Sequence, residues 1–158
     1  MYDIEIFNGD LNFANGEFAL VRNESKLVQS LVKALVTPLR ATSLRPGYGT
    51  YLGNILGRAM PEFIYLTKIE DSIRASIQNL INEQAAASQR QYVSAGEMIR
   101  SVLYVSVGRN AMDNRQIDVY VGVQAGSGDI IERQFVIAPG VSVYQEGLAT
   151  PSVGAGGY

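Results

Sequence analysis

Residues 45–57 read Arg-Pro-Gly-Tyr-Gly-Thr-Tyr-Leu-Gly-Asn-Ile-Leu-Gly and separate two segments with helical patterns. The proline favours an extended residue before it, which stiffens the start of the stretch. Gly47 and Gly49 can both adopt positive φ, one on each side of the tyrosine. The stretch therefore predicts a stiff turn that presents the side chains of Arg45 and Tyr48. They contact either a neighbouring subunit or the interior of the fold.

The turn ends in a short helical pattern. Thr50 is a candidate N-cap, and apolar residues follow it at helical spacing until Gly57 closes the segment. With the residues that lead into it, the whole connection covers residues 41–57, and we call it the elbow.

Amphipathic helices are predicted on both sides of the elbow. Residues 24–37 carry an apolar stripe, with Asn23 as a candidate N-cap and Pro38 as the stop. The opposite face of this helix is assigned to Gln29, Ser30, Lys33 and Ala34.

After Pro61 a second apolar stripe predicts a helix of about 25 residues, on the order of 37 Å long. This helix is long for so small a domain. Its far end, residues 84–91, therefore either projects from the body or is covered by a partner.

Strand patterns occupy both ends of the chain. Two Asn-Gly pairs, at 8–9 and 15–16, predict an N-terminal β-hairpin element because these dipeptides favour tight turns with two positive φ angles. Alternating segments at 99–107, 116–124 and 131–137 predict three antiparallel strands. The first of these strands is expected to place Ile99, Leu103, Val105 and Val107 on one face, with Val102 as an exception.

The predicted fold class is therefore α+β. A small antiparallel sheet, made of a C-terminal three-stranded meander plus the N-terminal β-hairpin element, packs with two main helices, one of them long. Residues 1–138 form a single domain in this interpretation, and 139–158 form a C-terminal arm. The segment 141–146 has the pattern of a short fourth strand before the sequence becomes rich in Gly, Ala, Thr and Ser.

Composition excludes several classes of function. The 158 residues include no Cys and no His, which removes thiol nucleophiles, Cys/His metal sites and histidine acid–base catalysis. The net charge is −2 and the basic residues are scattered, so nucleic acid is not expected as a partner. No segment approaches the roughly 18 apolar residues that a membrane span needs, and no signal peptide is expected at the N-terminus.

No catalytic, metal or cofactor site is predicted, and no small-molecule substrate is expected. Phosphate-binding glycine motifs are absent, and clustered acids suited to a metal are not found. Glu97 and Arg100, just before the first long strand, are the charged residues that stand out by position. They form either one partner-binding unit or a surface salt bridge.

An open strand edge is the predicted interaction feature. The strand Gln116–Gln124 carries one charge and is otherwise unguarded, so we expect an extended segment of another chain to pair with it. The candidate partner-binding residues of the C-terminal strands are Ile117, Val119, Val121, Val123, Arg133 and Phe135.

A family resemblance joins these features. Asn-Gly-Asp-Leu at 8–11, Gly-Glu-Phe-Ala-Leu-Val at 16–21 and a helix ending in Leu-Val-Thr at 35–37 precede Arg-Pro-Gly-Tyr-Gly-Thr at 45–50, the long helix and the strands. In this order they resemble the baseplate wedge proteins of contractile phage tails and related injection machines, which act as sheath initiators. The resemblance covers residues 8–138.

The resemblance implies a structural role, since members of that family are not enzymes. It implies six copies around a tail tube, contacts with sheath, other wedge and tube or tube-initiator proteins, and sheet extension by arms of the first sheath ring. It also implies a place in the virion baseplate, assembled in the host cytoplasm. The family's Glu-Pro-Arg docking motif reads Glu97-Met-Ile-Arg100 here, with altered spacing and no proline. The alternatives are another tail or neck ring component and a peptidoglycan-cleaving enzyme of lysozyme type.

Overall fold

The computed structural model of the protein describes residues 3–7, 10–140 and 142–145. Of the last segment, and of Phe7, Asp10, Ala14, Phe18 and Val21, only the backbone is described. The predicted α+β class is confirmed: an antiparallel sheet packs against helices, one of them long, and small hairpins precede them.

The N-terminal element consists of three two-stranded hairpin pieces that meet at one point. Backbone hydrogen bonds close a ring there: Glu5 N donates to Ala19 O (2.7 Å), Asn12 N to Glu5 O (3.0 Å), and Ala19 N to Asn12 O (2.9 Å). Glu5, Asn12 and Ala19 are spaced seven positions apart in the sequence, and the two Asn-Gly pairs have the same spacing. Asn15 and Gly16 both have positive φ, which confirms the second predicted turn, whereas the first lies outside the described residues. The pieces pair β1 (Asp3–Ile4) with β6 (Leu20–Val21), β2 (Ile6–Phe7) with β3 (Asp10–Leu11), and β4 (Phe13–Ala14) with β5 (Glu17–Phe18).

The first helix, α1 (Asn23–Val36), ends before Pro38 as predicted. Two details differ from the sequence interpretation. Asn23 does not cap the helix through its side chain. Gln29 and Ala34, assigned to the polar face, are buried. The Gln29 side chain faces β1 and β2. Its Oε1 accepts a hydrogen bond from Ile6 N (2.8 Å), and its Nε2 donates one to Ile4 O (2.9 Å). A buried polar side chain of the helix therefore holds the N-terminal strands.

The elbow returns the chain to the end of α1. Thr50 N donates to Thr37 O (2.9 Å), and Thr50 Oγ1 donates to Leu35 O (3.1 Å). Thr50 is therefore a buried tie to α1 rather than the cap of the short helix α2 (Leu52–Ile55), which has no side-chain cap. Of the two glycines expected to have positive φ, Gly49 does (110°) and Gly47 does not.

The long helix α3 (Glu62–Ser88) has 27 residues, close to the predicted length. Its buried stripe includes Ile69, Ile73 and Ile77, which are fully enclosed. The far end does not simply project, because Gln84 bonds the backbone just before the sheet: its Nε2 donates to Glu97 O (3.2 Å) and its Oε1 accepts from Ile99 N (2.9 Å).

Within the described residues, the C-terminal sheet has four antiparallel strands: β7 (Ile99–Arg109), β8 (Ile117–Ala125), β9 (Ile130–Ala138) and β10 (Ser142–Gln145). Their order across the sheet is β10-β9-β8-β7. The first three are the predicted strands, and the short β10, which lies beyond the predicted domain boundary at 138, pairs with β9.

Two β-bulges explain the irregular pattern of β7. The pairing with β8 shifts between Ile99 and Ser101 and again between Val102 and Tyr104, so Arg100 and Leu103 are the extra residues. As a result Val102 packs against the core, while Leu103 is 46% exposed. The expected placement of Leu103 on the core face is therefore wrong, and Val102, the exception to the predicted alternation, takes that face because each bulge moves the following side chains to the other side.

Gly49 is the position where the elbow tolerates no side chain. A Cβ atom there would lie 2.4 Å from Thr37 O, in a backbone conformation that L-residues disfavour. We expect Gly49→Ala to lower the free energy of unfolding by about 3 kcal/mol, the sum of strain and displaced backbone. Urea denaturation measures this change.

The matched control is Gly47→Ala, two residues earlier. Gly47 has no heavy atom within 4 Å of the added Cβ and no positive φ, so the expected change is within about 0.5 kcal/mol. Equal effects of the two substitutions would contradict this account of the elbow.

Candidate functional site

A groove of about 740 Å³ lies between α1, the elbow and the second half of α3. Three ion pairs between described residues line it: Asp3–Lys33 (2.9 Å), Lys26–Glu97 (3.3 Å) and Arg45–Glu83. Each pair joins segments far apart in the sequence, so these charges stabilise the arrangement of the walls. Among the described residues, no group of acids, His or Cys is placed to hold a metal ion.

Glu97 is the buried charge of this groove, only 3% exposed. It lies in a single 3-10 turn (Ala95–Glu97), and among the described residues it pairs with Lys26 of α1 rather than with the expected Arg100. Burial acts to raise the pKa of the Glu97 carboxyl, but hydrogen bonds and positive charge, with Lys26 as the largest contributor, outweigh it, so that the pKa is lowered. Glu97 is therefore a fixed carboxylate that ties the turn before the sheet to α1.

Arg100 lies on the surface at the first bulge of β7. Its side chain is exposed, and no ion pair is formed by it with any described residue. The prediction of a Glu97–Arg100 salt bridge is therefore wrong. The partner-binding role predicted for the two residues stays a prediction, with Arg100 as the accessible member.

Arg45 and Tyr48 contact each other and α3. The Arg45 guanidinium lies 4.2 Å from the centre of the Tyr48 ring and pairs with Glu83. Burial raises the pKa of the Tyr48 hydroxyl. Of the two interpretations of the elbow, this geometry supports internal packing. Half of the Arg45 side chain nevertheless stays exposed, so its contact with a partner remains a prediction.

The strand residues proposed for partner binding lie on the core face. Phe135 is fully buried, and the Arg133 guanidinium pairs with Glu24 at the beginning of α1. The prediction that Gln116–Gln124 is an open edge is wrong, because β8 is central and pairs with β7 on one side and β9 on the other. The four residues of β8 concerned are buried: Ile117, Val119, Val121 and Val123.

The two true edges of the sheet differ. On β7, α3 side chains bond backbone groups: Arg74 Nη2 donates to Val105 O (3.3 Å), and Gln84 accepts from Ile99 N. The two bulges further distort this edge, which discourages pairing with another strand. On the other side, β10 is short, and within the described residues it pairs only with β9.

Sequence reasoning missed Lys26, Gln29 and Gln84, the polar residues that join distant elements. Lys26 and Glu97 are 71 positions apart, and no local pattern links them. Gln29 offered one signal, since it lies between the apolar residues Val28 and Leu31 of the helical stripe.

The chain matches no family model and no curated protein. Within the described residues, no helix combines the length and the apolar composition needed to cross a membrane.

Removal of the Lys26 charge tests the buried pair. We expect Lys26→Met to lower the free energy of unfolding by about 2 kcal/mol at pH 7, because the carboxylate of Glu97 loses the ammonium group of Lys26 in a buried setting. The lowered pKa of Glu97 means that this stabilisation is present above the unfolded-state pKa and is lost as the pH falls through the folded-state value. The difference in free energy of unfolding between the parent protein and Lys26→Met should therefore shrink below about pH 4.

Urea denaturation at pH 7 and below pH 4 measures both effects. Lys68→Met is the matched control, because Lys68 is exposed on α3 and forms no ion pair with the described residues. A Lys26→Met deficit that stays constant over this pH range would exclude Glu97 as its source.

Proposed function

We propose that this protein is a structural component of a contractile-tail baseplate. In this role it joins the wedge to the tail tube and templates the first sheath ring through intermolecular β-strand addition. The resemblance of residues 8–138 to sheath initiators supports the proposal. The structural observation that carries it is the difference between the two edges of the C-terminal sheet.

Strand addition needs an edge with available backbone groups. The β7 edge is a poor acceptor because it is bulged, and because Arg74 and Gln84 already bond parts of its backbone. The β10 edge has neither feature among the described residues. We therefore assign the incoming arm of the sheath protein to the β10 side, which replaces the earlier assignment to β8.

Exposed apolar side chains support an assembly role. In the N-terminal hairpins, Ile4 and Leu20 are cross-strand neighbours, as are Ile6 and Leu11, so each pair projects from one face. All four are more than one-third exposed. Apolar surface of this kind is typical of proteins that are covered by partners.

The proposed partners are the sheath protein, other wedge proteins and tube or tube-initiator proteins, with six copies in the assembly. The proposed location is the virion baseplate, assembled in the host cytoplasm. Arg100 and the exposed part of Arg45 are the side chains that we assign to contacts with wedge or neighbouring subunits. Both are accessible cations on rigid segments, suited to a carboxylate on a partner.

Another tail or neck ring component would use the same strand addition with a different partner. A glycan-cleaving enzyme is the alternative from another class, and it needs a carboxyl group with a raised pKa as general acid. Glu97, the buried acid, has a lowered pKa instead. We propose that the chain has no catalytic role.

Sheath growth from purified components tests the proposal. We expect the cognate sheath protein to polymerise on tube and wedge components only when this chain is present, as seen by electron microscopy. Val143→Pro should abolish this growth, because proline on an edge strand removes a donor and blocks pairing.

Leu103→Pro is the matched control on the opposite edge, and circular dichroism should show that both variants are folded. Growth that survives Val143→Pro and fails with Leu103→Pro would assign the added strand to β7. Sheath that grows equally well without the chain would contradict the initiator role and assign the protein to another ring of the tail.

The enzymatic alternative has a separate test. A clearing assay on purified peptidoglycan should show no activity for the parent protein, and therefore no difference for Glu97→Gln. Clearing that disappears in Glu97→Gln would refute the proposed absence of catalysis.

A further inference from the structure

Exposed apolar side chains share one face of the N-terminal hairpins. Ile4 and Leu20 are cross-strand neighbours, as are Ile6 and Leu11, so the members of each pair project to the same side. Residues two positions apart in an extended chain also point the same way. Ile6 therefore joins the two pairs on one side, and Phe13 extends that side beyond Leu11. These residues are between 38% and 59% exposed, and we call them the apolar face: Ile4, Ile6, Leu11, Phe13 and Leu20.

The opposite side of these hairpins carries polar contacts. Asn12 Nδ2 donates to Glu5 Oε2 (2.6 Å), and Gln29 Nε2 of α1 donates to Asp3 Oδ2 (3.2 Å). Glu5 and Asn12 are half-buried, whereas the apolar residues on either side of each are exposed. A sheet with one covered face ordinarily turns its apolar residues toward the core and its polar residues toward water. This reversed arrangement indicates that another molecule covers the apolar face.

The charge next to the apolar face is negative. Residues 1–21 contain no Lys or Arg, and their four acids are Asp3, Glu5, Asp10 and Glu17. Asp3, Glu5 and Asp10 are direct sequence neighbours of apolar-face residues, so they lie within the Debye length of about 10 Å at 0.1 M ionic strength. Asp3 pairs with Lys33 of α1, whereas Glu17 is exposed and forms no ion pair with another described residue.

This charge distinguishes among the possible occupants of the apolar face. Two copies placed face to face would bring together four acids from each copy, and like charges across an interface oppose association. An anionic membrane surface is disfavoured for the same reason, because it attracts basic segments rather than acidic ones. A partner that combines apolar side chains with Lys or Arg complements both the apolar face and the acids beside it.

The dimensions of the apolar face suit a single helix. Alternate residues of a strand are roughly 6.6 Å apart and neighbouring strands roughly 5 Å apart, so the face is on the order of 12 Å wide. An α-helix with its side chains has a similar diameter. We infer that the apolar face binds an amphipathic helix of a partner protein, with Lys or Arg flanking the apolar stripe of that helix. This inference does not rest on the baseplate role, because it follows from the hairpins alone.

A synthetic peptide tests the apolar contact. The probe is a labelled amphipathic helix of Leu and Lys, about 18 residues long, and fluorescence anisotropy measures its affinity for the full-length protein. We expect Phe13→Ser and Leu20→Ser each to weaken binding by about tenfold, because each removes one large apolar contact. Met112→Ser is the matched control, since Met112 is 96% exposed in the loop between β7 and β8. Circular dichroism should show that all three variants are folded.

The charge requirement has its own variants. A peptide with Glu in place of every Lys should bind the parent protein about tenfold more weakly, because the acids beside the apolar face repel it. Glu17→Lys should weaken binding of the Leu/Lys peptide by about threefold at low salt. Asp71→Lys, at an exposed acid of α3, makes the same charge change away from the hairpins and should leave the affinity unchanged.

The results distinguish the possible occupants. Affinity that falls with Phe13→Ser, Leu20→Ser and Glu17→Lys, but not with the two controls, supports the inference. Equal binding of the Leu/Glu peptide, or binding that ignores Phe13→Ser, overturns it. The inference is also overturned if Phe13→Ser abolishes a dimer seen by sedimentation or binding to vesicles of phosphatidylcholine and phosphatidylserine. Because no sheath protein is present, these results are independent of the sheath-growth test.

Discussion

The return of the chain to the end of α1 is the constraint on which the other elements depend. Gly49 passes so close to the Thr37 carbonyl that no side chain fits, and Thr50 then bonds both Thr37 and Leu35. These contacts orient the short α2, which in turn sets where α3 begins. Because α3 packs against β7, the position of the sheet relative to α1 depends on the same crossing.

The length of α3 explains why the two sheet edges differ. One helix of 27 residues is long enough to bond β7 through Arg74 near its middle and Gln84 near its far end. A shorter helix would leave part of that edge open to other chains. The protein therefore has one edge occupied by its own long helix and one edge formed by its C-terminal segment. This asymmetry favours directional addition of a strand.

Local sequence patterns predicted the helices and strands. The features that depend on pairing between distant segments could not be predicted from those patterns. The periods of the helices and strands, Pro38 and the Gly-rich turns are local signals, and these elements were predicted correctly. The order of the strands depends on which edges other elements cover, and no residue of β8 encodes that information. The bulges at Arg100 and Leu103, which move side chains between faces, could not be predicted for a similar reason, because a bulge is defined by the pairing with the partner strand.

Candidate site residues were harder to predict because charge alone does not indicate a partner. Glu97 and Arg100 are three positions apart, which suggested one ion-paired unit, yet α1 supplies Lys26 to the carboxylate and leaves the guanidinium at the surface. If the Glu-Pro-Arg motif of sheath initiators docks on the wedge, then of the two corresponding charged residues in this chain only Arg100 is accessible. On the proposed function, Glu97 would position the segment that carries Arg100, and Arg100 would make the contact. The altered spacing then has a physical meaning, because the first bulge of β7 turns the arginine outward while the glutamate stays bound to α1.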